Sequence, residues 1–228
     1  MITADLRSEK GVATVGKNTV ARHMKDMGLR CRTAKKFVAT TDSKHHEPIA
    51  PNLFNRDCSV SSPNPAWVSD IPDVKVGHLW DALTVWIDLF SRIVVGGDLS
   101  KSLERHSRIR AFQKALFRRQ AGEGLLVHSD RGVQDARADF RNLLKKKNFV
   151  QSRSRKGNGW DHAVAESFFH TLKTQLISHR RFQRKEEVEQ ALFNYIEIYY
   201  NRRRRHSTNG YPSPAKYKSE WEKIQNVA

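Results

Sequence analysis

The chain has 228 residues, 38% of them hydrophobic and 29% charged, which is enough apolar material for one good-sized core and a small appendage. Lys and Arg outnumber Asp and Glu by 41 to 24, giving a net charge of +17 and an isoelectric point near 10.2, so a polyanionic partner fits better than an acidic small molecule. Cys31 and Cys58 stand far apart without a C-x-x-C pattern, which argues against a disulfide framework and against a cysteine-rich zinc site. No apolar leader opens the chain and no run of 18 apolar residues occurs, so a cytoplasmic protein without a membrane span is expected.

In chain order, residues 17–29 place Val20, Met24 and Met27 at helical spacing, with Gly28 where such a helix would end. This predicts a short basic helix, and no complete helix-turn-helix is visible beside it. The polar stretch that follows, rich in Thr, Ser, Asn, His and Pro, reads as linker and puts a boundary near residue 60. Three β-rich runs come next, AWVSDI, ALTVWIDLF and RIVVGGDLS, and predict an antiparallel meander. Helical periodicity from about Leu103 to Arg119, a strand at LLVHSD, a basic helix at ADFRNLLKKK, a strand at FVQSRS and two amphipathic helices over 161–178 and 186–201 complete the reading.

The resulting order, β-β-β-α-β-α-β-α, predicts an α/β fold: a mixed five-stranded sheet, an antiparallel meander plus parallel strands, flanked by helices as in ribonuclease-H-like folds. The expected divisions are a basic helical DNA-binding remnant and linker over 1–59, a catalytic domain over 60–220 and a tail over 221–228. Positive charge concentrates late in the chain, at +11 over residues 131–228 against +1 over 61–130, so the C-terminal half is expected to face phosphates. The near-neutral middle, with its several Asp residues, suits a cation site better than a DNA-facing strip.

Three acids stand at ends of elements that such a fold would bring together: Asp70 in the first strand, Asp130 closing LLVHSD, and Glu166 early in a helix. Converging carboxylates are hard oxygen donors suited to Mg²⁺. Strand-end Asp residues are more often turn formers or caps, and Asp73, Asp81, Asp88, Asp98 and Asp161 compete on equal terms by spacing alone. His128, two residues before Asp130, reads equally as an orienting group or as a packed histidine. His45, His46 and Cys58 lack the second spaced Cys of a zinc knuckle.

Read whole, HSDRG (128–132), SRKGNGWDHAVAESFFHTLKTQL (154–176) and YIEIYYNRRRRHSTNGYPSPAKY (195–217) resemble the transposases of the IS-three insertion-sequence family, whose catalytic core is like that of retroviral integrases. WVSDI (67–71) looks like the family's W-x-T-D-I segment and DLFSRIVVG (88–96) like its following strands. The 35 residues between Asp130 and Glu166 match the family's D, D, 35, E spacing. The resemblance implies an enzyme of the DDE transposase and integrase kind, cutting and joining DNA during transposition. It implies Asp70, Asp130 and Glu166 as catalytic and metal-holding residues, with two Mg²⁺ or Mn²⁺ ions. It also implies a basic residue at Lys173, seven positions beyond Glu166 on one helix face. Arg202, Arg203, Arg204 and Arg205 are expected to meet the DNA backbone. Partners would be element-end and target DNA, a second copy of the chain, and an upstream helix-turn-helix protein of the same element; the compartment would be the cytoplasm, at the nucleoid.

Departures from the family pattern point to the alternative, a DNA-binding remnant without catalysis. Pro72 would delete a ladder hydrogen bond inside a central strand, and Asp81 replaces an apolar residue in the next one. A ribonuclease H would share the fold but lack the D-35-E helix with its lysine.

Overall fold

The computed structural model describes residues 2–9, 14–30, 52–53, 60–101, 106–129, 138–154 and 163–227. Two helices open the chain, α1 (Ile2–Glu9) and α2 (Lys17–Asp26), and α2 stops at Gly28, whose φ of +67° is in the left-handed region that favours glycine. The sheet follows with β1 (Ala66–Asp70), β2 (Asp73–Val76), β3 (Leu79–Asp88), β4 (Val94–Lys101), β5 (Leu126–Ser129) and β6 (Val150–Arg153). Helices α3 (Ser107–Arg119), α4 (Ala138–Lys146), α5 (Ala163–Gln175), α6 (Lys185–Phe193) and α7 (Pro214–Gln225) alternate with or follow the strands. A π-helical stretch, Asn194–Tyr200, continues α6.

The sheet is mixed, as the sequence pattern predicts. β3 pairs antiparallel with β1, β2 and β4, whereas β5 pairs parallel with both β1 and β6. Six strands replace the expected five because β1 and β2 run along β3 in one register, Asp70 opposite Val85 and Asp73 opposite Ala82. Pro72 lies in the two-residue break between them, and its carbonyl accepts from the Leu83 N–H at 3.0 Å. The strand therefore absorbs the proline where no donor is required. Asp81 is buried, as feared, opposite Val74.

Side chains alternate across the sheet and build two cores. On one face Val68, Val74, Leu83, Val85 and Ile87 pack under α5, α6 and the π-helical stretch, where Phe168, Leu172, Val188 and Tyr200 are buried. On the other face Trp67 and Trp86 meet Phe112 of α3 and Phe140 of α4, with ring centroids 4.9 Å apart for Trp86 and Phe112 and 5.9 Å for Trp86 and Phe140. Each such ring contributes about 1.5–3 kcal/mol by burial. β4 carries Gly96 against Ala111 and Ala115 of α3, small residues that allow a close approach.

The C-terminal motif folds back onto the β3–β4 turn. The Asn201 side chain accepts from Val94 N–H at 2.9 Å and donates to Val94 carbonyl at 3.1 Å, completing a backbone pair that no strand supplies. The Asn209 amide donates to the Ser91 carbonyl at 2.9 Å. α7 starts at Pro214 behind the cap Ser213 and runs past residue 220 to Gln225, with Trp221 edge-on to Phe90 at 5.7 Å. Most of the stretch expected to be tail from residue 221 is thus helix, held by an aromatic contact.

Candidate active site

β1 and β5 lie parallel with Ser69 opposite Ser129, so the two strands end side by side. Asp70 is the last residue of β1, half-buried, on the Val68 face toward α5, and its Oδ1 accepts from the Ile71 N–H at 2.8 Å. α5 packs on β1, carrying Glu166 exposed in its first turn and Lys173, half-buried, two turns later. Burial pushes the Lys173 ammonium below the usual lysine range, and the carboxylates of Asp70 and Asp73 act in the opposite direction. Lys173 is therefore within the electrostatic field of Asp70. Asp130 lies outside the described residues, and among the described residues no group of three metal-ligating side chains converges.

The competing aspartates separate by their surroundings. Asp88 is fully buried and accepts from the N–H groups of Asn64 and Ser91, each at 3.0 Å, which makes it the cap of the β3–β4 turn. Asp98 is buried beneath α3, where burial raises its pKa but hydrogen bonds from Arg110 and Lys114 prevail and hold it below the usual carboxylate range. Asp73 is exposed at the start of β2, and Asp161 lies outside the described residues. His128 is fully buried with Nδ1 2.9 Å from the Ser152 hydroxyl, a packed histidine within the sheet.

The four arginines after the π-helical stretch divide. Arg202 and Arg203 are exposed; Arg204 lies over the Tyr200 ring at 5.6 Å; Arg205 forms an ion pair with Asp5 of α1 and a hydrogen bond to Ser8. Of the four expected to meet the DNA backbone, Arg202 and Arg203 alone are exposed to solvent. The others are drawn inward by an aromatic face and by an acid 200 residues away, neither visible as local pattern.

His206 follows this run, and burial, Arg204 and Arg92 push its pKa down to about 4. Its folded value is below its unfolded one, so the unfolded chain binds the extra proton and stability falls as pH drops from about 6.5 toward 4. His206→Gln is expected to flatten that limb of a midpoint-against-pH curve from thermal melts. An unchanged slope would show that another group titrates there.

Three family models match the chain: "HTH-like domain" over 1–37, "Integrase core domain" over 60–159, and a second "Integrase core domain" over 166–221. A 31 kDa protein of insertion element IS600 from Shigella sonnei is 37% identical over 95% of this chain and 79% of its own length. Transposase InsF of insertion sequence IS3A from Escherichia coli K12 is 37% identical over 96% of this chain and 75% of its own. The chain belongs to the IS3 family of transposases. It is accordingly a polynucleotidyl transferase of the DDE kind. The simian T-cell lymphotropic virus intasome matches with a TM-score of 0.59 at 16% identity, covering 91% of this chain and 72% of that one. The HTLV-2 integrase catalytic core, solved with magnesium, matches at 0.51 and 18% identity, covering 69% and 97%. These two establish the ribonuclease-H-like fold of the IS3-family chain. The match over 1–37 covers α1 and α2 together. Among the described residues, no helix is long and apolar enough to cross a membrane.

Proposed function

We propose that this transposase cleaves and joins DNA through Asp70, Asp130 and Glu166, that these carboxylates hold two divalent ions, Mg²⁺ or Mn²⁺, and that Lys173 holds a DNA phosphate beside them. The observation that carries the reading is the packing of α5 on β1, with Lys173 in the field of Asp70 and Glu166 on the same helical face. Asp130 follows Ser129 directly, and Ser129 is level with Ser69, so the next step of each chain leads to an acid. An all-oxygen donor set at a half-exposed strand end fits a hard cation. When bound, a pair of such ions activates the attacking oxygen and stabilises the leaving one.

The chain's own part is to bind and align. The Ile71 N–H holds the Asp70 carboxylate in one orientation. Lys173, already partly desolvated, gives little hydration away when it takes a phosphate oxygen. Water then attacks a phosphodiester to release a 3′ hydroxyl, and that hydroxyl attacks a phosphodiester of the target; neither step leaves a covalent link to protein. Arg202 and Arg203 add phosphate contacts, with Arg204 and Arg205 available where their present contacts open. The reading extends to a basic DNA-binding segment over 1–59 before a catalytic domain reaching about 220, to a homo-oligomer assembled on DNA at the nucleoid, and to help from an upstream helix-turn-helix protein.

The test is incubation of the purified chain with element-end DNA and Mn²⁺. Nicked and joined strands support the reading, whereas binding without products contradicts it. Lys173→Ala should weaken binding to any DNA sequence and lower the slope of log affinity against log salt by about one unit. A loss confined to one sequence would mean that Lys173 reads bases.

A further inference from the structure

We propose that the β2–β3 hairpin tip is a base-stacking contact for unpaired DNA, with Trp80 as the platform and Lys75, His78 and Arg181 as its phosphate partners. The proposal rests on the transposase reading above.

β3 is buried from Asp81 to Asp88, but its first two residues are not: Leu79 is 65% exposed and Trp80 58%. Trp80 is opposite Lys75 on β2, whose ammonium stands 6.0 Å from the ring centroid. The turn between them, Gly77-His78, is fastened to a second segment: Gly77 N–H donates to the Phe182 carbonyl at 2.7 Å, and Phe182 bridges Val76 in parallel. That fastening brings exposed Arg180 and Arg181 alongside the hairpin, with exposed Arg184 two residues beyond Phe182. Neither 74–80 nor 177–184 contains an acid, while exposed Asp73 precedes the first segment and Glu187 pairs with Arg184 at 3.0 Å.

A cationic edge alone would serve phosphates. The exposed indole adds a π-face, which a phosphate does not use and an unpaired base does. A protein partner fits less well, because adjacent strand residues point to opposite faces, so Leu79 and Trp80 do not make one apolar patch. Lys75 lies five residues past Asp70 along one continuous register, about 16 Å at ~3.3 Å per residue, and this odd step turns Lys75 and Trp80 to the Trp67 and Trp86 face of the sheet, opposite to Asp70 and α5.

The test uses the full chain as wild type, Trp80→Phe and Trp80→Ala, with fluorescence anisotropy at physiological salt. The probes are a blunt duplex and the same duplex carrying an unpaired thymidine tail. Trp80→Ala should lose roughly 5- to 100-fold in affinity for the tailed probe, the range of one base–aromatic stack, while the blunt duplex changes by less than about twofold. Trp80→Phe should keep most of the tailed affinity, and a tail of abasic nucleotides should erase the difference between variants. Equal losses on both probes, or none on either, would overturn the proposal. So would a change on Trp80→Ala in the sedimentation of the DNA-free protein, which would assign the indole to a contact between copies. If the wild type bound neither probe, the transposase reading would fall with it; binding that ignores Trp80→Ala sinks this contact alone.

Discussion

Asp130→Asn and Glu166→Gln, each in the purified full chain, are expected to lower strand cleavage by roughly 10³-fold or more while DNA affinity stays within about threefold. Asp70→Asn should behave the same way. Each change keeps size and removes a charged oxygen donor, and the transition-state stabilisation supplied through a metal is several kcal/mol, each 1.36 kcal/mol being tenfold in rate. Affinity is spared because the phosphate contacts proposed here come from Lys173, Arg202 and Arg203, and the last two are exposed on another segment. Retained cleavage in any one variant would falsify the role of that residue. Loss of binding together with cleavage would instead point to a structural role, the outcome to watch at Asp70, whose carboxylate also accepts a backbone N–H.

Gly96→Ala should be the most damaging small change in the sheet. A Cβ built there meets the Ala111 carbonyl oxygen at 2.3 Å and the Ala115 Cβ at 2.8 Å, so α3 must move off β4 to admit one methyl group. Those neighbours are backbone and a methyl, with no flexible side chain to give way. α3 also holds Phe112 against Trp67 and Trp86, and a shift loosens that whole aromatic core. Overpacking of this kind costs about 1–3 kcal/mol, sometimes more, and for a chain of this size that lowers the thermal midpoint by roughly 3–10 °C. Gly97→Ala is the control, since its nearest neighbour would be the Thr84 carbonyl at 3.5 Å, an ordinary contact. Equal melting of the two variants would show that α3 yields freely.

Much of this architecture was legible because the chain is locally consistent. The three β-rich runs and the apolar run at LLVHSD have the composition of buried strands and lie there, within a few residues of the expected bounds. β2 escaped notice because Pro72 and Asp73 look like the end of a strand, whereas the register along β3 passes straight through them. α7 escaped because the helical periodicity ends at 201 and the stretch after it is rich in turn residues, although Ser213 followed by Pro214 is also a helix start. The roles of Asn201 and Asn209 had no local signature, for each satisfies a backbone group more than 100 residues away.

The candidate site was legible through its motifs rather than through spacing. Spacing alone left Asp88 and Asp98 level with Asp70, and only tertiary partners, a turn for one and two cations for the other, set them apart. Arg205 shows the converse, since nothing in its run of four arginines points to its partner Asp5, which is distant in sequence.

The central claim is that Asp70, Asp130 and Glu166 form one metal site, and Mn²⁺ binding followed by electron paramagnetic resonance tests it without relying on turnover. Wild-type protein, with uncleavable element-end DNA bound, is predicted to deplete the free-Mn²⁺ signal at up to two ions per chain, and each of Asp70→Asn, Asp130→Asn and Glu166→Gln to weaken that binding strongly. Binding of Mn²⁺ by all three variants as tightly as by the wild type would contradict the account.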